Sequence, residues 1–248
     1  MAWLHSAVDS FHVSLSLSTQ LETEHTNDSL FHFFEMMQRS FPTMTSLDTG
    51  DSPEWYRLLE DDHEKPWCRW LSVEKRCLNV SYDNPETLTD AYELHRRALA
   101  LTPTALGYSP LNLIMMDVTY IFEMTYSGNN SELVARTMAP AGFEALTSDP
   151  NNKIAMYWPE MVITLENQPD IQCRVSVESR IWFPDYIRAR YDEENRFGVV
   201  FTTRHYFTGV NNDLVAVHQK LTSIAENMIE KKIRPNIIAP LAEAIGSR

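Results

Sequence analysis

Between Phe11 and Leu21 the chain alternates, with Phe11, Val13, Leu15, Leu17, Thr19 and Leu21 on one phase and His12, Ser14, Ser16, Ser18 and Gln20 on the other. A period of two sends successive side chains to opposite faces, so the segment reads as a strand with one wet face. The period then changes. Leu30, Phe33, Phe34, Met37 and Phe41 recur at helical spacing, with Asn27 or Asp28 available as a cap and Pro42 as the stop. Strand patterns follow at 55–59 and 67–82, separated by the acidic run 60–64. A second helix is marked by Asn84 as cap, Pro85 at the first helical position and Glu86 in the first turn. Its stripe is Leu88, Ala91, Tyr92, His95, Ala98 and Leu99, and Pro103 ends it. The stretch 111–126 is apolar enough on both faces to belong in the middle of a sheet.

After a polar, Pro-containing connection over 127–152, strand patterns recur at 154–166, 171–183 and 197–208. The first two meet across Asn167-Gln168-Pro169-Asp170, a plausible hairpin turn. A long final helix starts at Asn212, carries Leu214, Val217, Leu221, Ile224, Ala225, Met228 and Ile229 on one stripe, and has Lys231, Lys232 and Arg234 near its end. The order of elements predicts an α+β fold. Its first half, 1–126, reads as a ferredoxin-like βαββαβ unit; 127–152 is a connection; 153–248 is an antiparallel three-stranded segment plus the C-terminal helix, packed with the first half as one unit. The sequence shows neither an internal repeat nor a low-complexity region.

Composition removes several function classes. The closest two of the seven glycines are Gly198 and Gly209, so no glycine-rich phosphate loop, dinucleotide fingerprint or nucleophile elbow can be built. A net charge of −13 argues against a nucleic-acid binder. Residues 20–64 hold eleven carboxylates against Arg39 and Arg57 alone. Cys68, Cys77 and Cys173 are an odd count without framework spacing, which fits reduced thiols in a cytoplasm. The uncharged stretch 98–116 is broken by Pro103, Gly107, Pro110 and Asn112, so no membrane span is expected.

Two candidate sites remain. Counting by two places Arg174, Ser176, Glu178 and Arg180 on one face of a strand, and Thr202, Arg204 and Tyr206 on one face of the next. If the strands are neighbours, Arg174, Arg180 and Arg204 share a region with Glu178, and guanidinium groups suit carboxylate or phosphate. The ordinary alternative is a solvated face with cross-strand ion pairs. The second candidate is the acidic run Glu60, Asp61, Asp62 and Glu64, flanked by Trp55, Tyr56, Trp67 and Trp70. Aromatic anchors around a charged loop suit a protein partner, whereas contiguous carboxylates without turn glycines do not converge on a metal, so no metal and no cofactor is expected. His95, His205 and His218 fall on or beside apolar stripes and read as core histidines, although a His205 carboxylate pair in a cleft would be of interest.

The strand Asp117-Val-Thr-Tyr-Ile-Phe-Glu-Met124, the strand-loop-helix around 79–101 and the closing Leu214-Val-Ala-Val-His218 helix together resemble a sporadically distributed family of uncharacterised bacterial proteins of about this length. That family carries an Arg-Tyr-Ile-Asn-Arg-like central strand; here Thr119-Tyr120-Ile121-Phe122-Glu123 keeps Tyr-Ile and lacks both arginines. The late Asp after its apolar strand is replaced by Thr202 or Thr203. The resemblance implies the architecture and a bacterial cytoplasmic setting, and supplies no catalytic residue. The sequence therefore leads to a non-enzymatic interaction protein with an acidic docking surface, antitoxin- or immunity-like by analogy, bound to a protein partner or to itself. Its alternative is a site for an anionic small molecule, binding or enzymatic, on the arginine-bearing sheet face. Neither reading involves nucleic acid or membrane.

Overall fold

A computed structural model describes residues 7–49, 55–60, 67–149, 151–181, 185, 195–209 and 213–247. The alternating segment forms β1 (Ser10–Thr19), whose odd-numbered side chains are buried. Helix α1 (Asn27–Ser40) follows, capped by Thr26, whose hydroxyl accepts from the Ser29 N–H, and closed at Phe41 ahead of Pro42. Four strands come next: β2 (Met44–Asp48), β3 (Trp55–Glu60), β4 (Cys68–Glu74) and β5 (Cys77–Asp83). Helix α2 (Leu88–Ala105) leads to β6 (Leu113–Tyr126) and α3 (Asn130–Met138). Strands β7 (Glu160–Leu165), β8 (Gln168–Ser179) and β9 (Asn195–Tyr206) precede α4 (Leu214–Met228).

All nine strands join in one antiparallel sheet of order β2-β3-β4-β5-β1-β6-β9-β8-β7. This overturns the ferredoxin-like βαββαβ reading of residues 1–126: four strands, not two, stand between α1 and α2. The pattern over 67–82 is two strands folded at Lys75-Arg76, a turn without the glycine, proline or asparagine that marks most hairpins. Strand β2 was missed because only Met44 of its five residues is buried. The connection over 127–152 contains α3, which buries Leu133, Val134 and Ala135.

Local chemistry moves several boundaries. Helix α2 starts at Leu88 because Thr87 and Asp90 form a reciprocal capping box. Asn84 instead turns the chain with φ +49° and accepts the Phe11 N–H on its side chain. Pro103 lies inside the last turn of α2 rather than ending it. The hairpin between β7 and β8 turns at Glu166-Asn167, two residues earlier than expected. Asp213 caps α4, Asn212 lying outside the described residues. The chain then continues through a wider π-helical stretch at Ile229–Ile238, which accommodates Pro235 without an N–H donor, into α5 (Ala239–Gly246).

The architecture repeats where the sequence does not. β1, α1, β2 to β5 and α2 are followed by β6, α3, β7 to β9 and α4, and in each half the first strand lies between the other half's first strand and its own half's last. Helices cover one face of the sheet. Val13, Leu15, Leu17, Val80, Val118, Tyr120, Phe122, Val199 and Phe201 form the core beneath them, while the opposite face of the sheet carries no helix among the described residues. Residues 1–126 and 153–248 share this one sheet through the β6–β9 pair. No described helix is long and apolar enough to cross a membrane.

Candidate functional site

Strand pairing fixes what lies side by side on the open face. Arg174 of β8 pairs with Thr202 of β9, Thr202 with Thr119 of β6, Thr119 with Ser14 of β1, Ser14 with Ser81 of β5, and Ser81 with Trp70 of β4. One row along the strands, Gln172, Arg204, Asp117, Ser16, Asn79 and Ser72 follow each other across the same strands. A solvated sheet face usually carries long side chains here. This one has a floor of hydroxyls and amides, and Ser72, Ser81, Ser176 and Thr202 are buried although no helix among the described residues covers them. The larger side chains beside them, Trp70 and the three arginines, stand over that floor.

Arg174, Arg180, Arg204 and Glu178 all line one cavity of about 300 Å³ on this face, together with Asp117, Gln172 and Thr202. The three guanidinium groups differ in how far they are committed. Arg204 donates through Nε and Nη2 to both oxygens of Asp117, at 2.7 and 2.6 Å, and through Nη1 to the Tyr206 hydroxyl. This bidentate hydrogen bonding raises its pKa further above the usual arginine value, so it is a fixed cation and a wall of the site. Arg174 donates through Nε and Nη2 to Glu160 at 2.9 and 3.2 Å, and Nη2 also reaches Glu178 at 3.3 Å. Arg180 makes one long contact among the described residues, Nη2 to Glu123 Oε1 at 3.5 Å, and its side chain is 44% exposed.

That contact passes beside Gly198. Gly198 lies opposite both Glu178 and Glu123, and a Cβ placed on it would come within 3.9 Å of Arg180 Nη2 and 3.3 Å of Ile121 Cγ2. The missing side chain leaves the path by which Arg180 crosses β9. Beyond Glu123, a second cavity of about 280 Å³ holds His12, Asp83, Asn79 and Trp70, and it shares Ile121 with the first. His12 stands between two carboxylates, Nδ1 3.0 Å from Asp83 and Nε2 3.5 Å from Glu123. Burial lowers its pKa, but the hydrogen bonds and charges of Asp83 and Glu123 outweigh this and raise it to about 9. The His12 hydrogen bond in turn holds Glu123 at about 2 against the cost of burial. Arg180, Glu123, His12 and Asp83 are thus an alternating row of charges.

The described residues of the second sequence-derived site divide between the two faces of the sheet. Tyr56, Trp67 and Glu60 lie on the helix side of the sheet, whereas Trp55 and Trp70 fall on the open face. Glu60 is buried; it accepts from the Arg69 guanidinium at 2.9 Å, from the Arg69 backbone N–H at 2.8 Å and from Thr43. The Arg69 guanidinium sits over the rings of Phe41, Trp67 and Tyr82. Trp70 carries the Arg57 guanidinium 4.7 Å from its ring centre. Asp61, Asp62 and Glu64 lie outside the described residues.

Among the histidines, His95 and His218 are buried, and His205 Nδ1 lies 2.9 Å from Asp170. Burial of His205 outweighs that carboxylate and lowers its pKa. Burial also pushes the Cys173 thiol up to about 11, so it behaves as a small core residue. Among the described residues no three histidine, cysteine or carboxylate side chains are arranged to hold a metal ion. Sequence reasoning missed Asp117, Glu123, Glu160, His12 and Gly198. All but Gly198 show in the polar phase of their strands, but their meeting depends on which strands are neighbours. In comparisons with known proteins, no family model and no curated protein matches the chain.

Proposed function

We propose that this chain is a binding protein whose ligand is a small molecule bearing a carboxylate or phosphate, held on the open face of the sheet. One observation carries this reading: three arginines from β8, β9 and the residue just beyond β8 line one cavity, and among the described residues the Arg180 guanidinium has a single long contact, to Glu123. The ligand's anionic group meets Arg180 and the Nη1 of Arg174, while Arg204 and Asp117 hold the floor rigid. Glu178 and Asp117 also line the cavity, so a ligand carrying an ammonium group or several hydroxyl donors beside its anion satisfies both signs of charge. Ile121, Val162 and Val200 offer it an apolar contact.

The acidic docking surface is the less supported of the two readings, because Glu60 and Trp67 are already engaged inside the fold. Free thiols at Cys68, Cys77 and Cys173 fit a reducing, cytoplasmic setting. Calorimetric titration of the whole protein with a panel of carboxylates, phosphate esters and amino acids tests the reading. The expected result is a binder whose affinity drops at least tenfold in Arg180→Gln and is unchanged in Arg57→Gln. A panel without a binder, or a binder indifferent to Arg180, overturns it.

A further inference from the structure

Strand β7 ends the sheet, and among the described residues its outer edge pairs with nothing. Natural edge strands are usually blunted with lysine, proline or inward charge, because a bare edge is a template for another strand. β7 has neither lysine nor proline between Glu160 and Leu165; its helix side is apolar, and on its open side Val162 stands between Glu160 and Thr164. Met161 is 62% exposed on the helix side, with Ile163 beside it, and Val162 is 52% exposed on the open side. Trp158 and Met156 extend the exposed apolar surface, and two cavities of about 380 and 350 Å³ on the helix side share Met161, Val175 and Ile237. A patch of this kind marks an interaction surface.

Charge indicates the partner. Residues 1–126 carry nineteen carboxylates against eight lysines and arginines, whereas 127–248 carry fifteen against thirteen. The excess acid is therefore in the half that ends at β2, and β7 edges the near-neutral half. Two copies joined edge to edge at β7 hold their acidic halves at opposite ends of a continuous sheet; joined at β2 they would press them together.

We propose that β7 pairs with β7 of a second copy of this chain, antiparallel about a two-fold axis at Val162. In such a pair, residues directly opposite each other share a face, so a self-pairing must centre on a residue. Centring on Val162 sets Met161 opposite Ile163 on the helix side and Glu160 opposite Thr164 on the open side. Centring on Ile163 would set Glu160 opposite Glu166. Val162 also lines the arginine cavity, so the second copy closes the outer end of that cavity with its own Val162.

Sedimentation analysis of the full chain at micromolar concentration is expected to give twice the 28.7 kDa chain mass. Met161→Lys and Val162→Lys, both at exposed positions, are expected to give the single-chain mass with an unchanged circular dichroism spectrum. Under mild oxidation Val162→Cys, opposite itself, is expected to cross-link at least tenfold faster than Thr164→Cys or the unsubstituted chain. A single-chain mass for the unsubstituted protein overturns the proposal, as does a double mass that both lysine variants leave intact. Equal cross-linking at 162 and 164 overturns the register.

Discussion

His95 Nδ1 lies 3.1 Å from His218 Nε2 with the rings nearly perpendicular, and this contact ties α2 to α4, the corresponding helices of the two halves. Both rings are buried, His95 between α2 and the central strands and His218 against the Tyr92 ring. Burial, and then the neighbouring His218, drives the His95 pKa down; burial, and then the charge of Arg96, drives His218 to about 4. In the unfolded chain both titrate near the ordinary histidine value of about 6.5. Because the folded values are depressed, the folded state keeps its full stability above that pH and loses it as pH falls towards 4. For His218 alone the loss approaches about 3 kcal/mol by pH 4. Urea midpoints between pH 7 and 4 check this: the slope is expected to shrink in His218→Gln, and a midpoint that stays flat in the unsubstituted protein contradicts it.

His12 acts in the opposite direction. Its folded pKa is raised to about 9, so its contribution is complete below about pH 6.5 and disappears as pH rises through 9. Its side chain is 23% exposed, and solvent screening brings the contribution to about 1–2 kcal/mol. NMR titration of the imidazole is expected to show a midpoint well above 7 in the native protein and a lower one in Asp83→Asn. An unchanged midpoint in that variant would assign the shift to some other group.

Most helices and strands were legible in the sequence because their burial is periodic. β1, α1, α4 and the apolar phase of β6 each carry an unbroken stripe. What misled the reading was punctuation. The β4–β5 hairpin turns at two basic residues, β2 buries a single side chain, and α3 sits inside a segment rich in asparagine and proline. The arginines of the candidate site could be placed on faces but not on neighbours. Whether β9 lies beside β6 is decided by non-local pairing, and that pairing brings Asp117 to Arg204 and Glu123 to Arg180.

The Arg204 and Asp117 pair is the rigid part of that site, with side chains 34% and 15% exposed. Removing the carboxylate leaves a half-covered guanidinium with Tyr206 as its remaining polar partner among the described residues. Fully buried pairs cost about 3–5 kcal/mol to break in this way, and the water reaching Arg204 reduces that to about 2 kcal/mol for Asp117→Ala. Replacing both residues with methionine and leucine is expected to restore part of the loss, since no charge is then left unpaired. A double-mutant cycle by chemical denaturation gives the coupling, and a coupling below about 0.5 kcal/mol would show the pair to be ornamental to stability.

Gly198 offers the sharpest separation of stability from binding. Its φ is not in the left-handed region, so the backbone itself does not require glycine there. Valine suits an antiparallel strand, and the first atom such a side chain meets is a methyl of Ile121, which can rotate away on the open face. Its branches, however, fill the path of the Arg180 side chain over β9 towards Glu123. Gly198→Val is therefore expected to change the unfolding free energy by about 1 kcal/mol or less. It is also expected to raise the Glu123 titration above about 2 and to weaken anion binding as strongly as Arg180→Gln does. NMR titration of the Glu123 carboxyl and calorimetry on the same variant test the two effects together. If Glu123 shifts while affinity holds, Arg180 serves the sheet and not the ligand; if both move, the gap at Gly198 exists to aim Arg180.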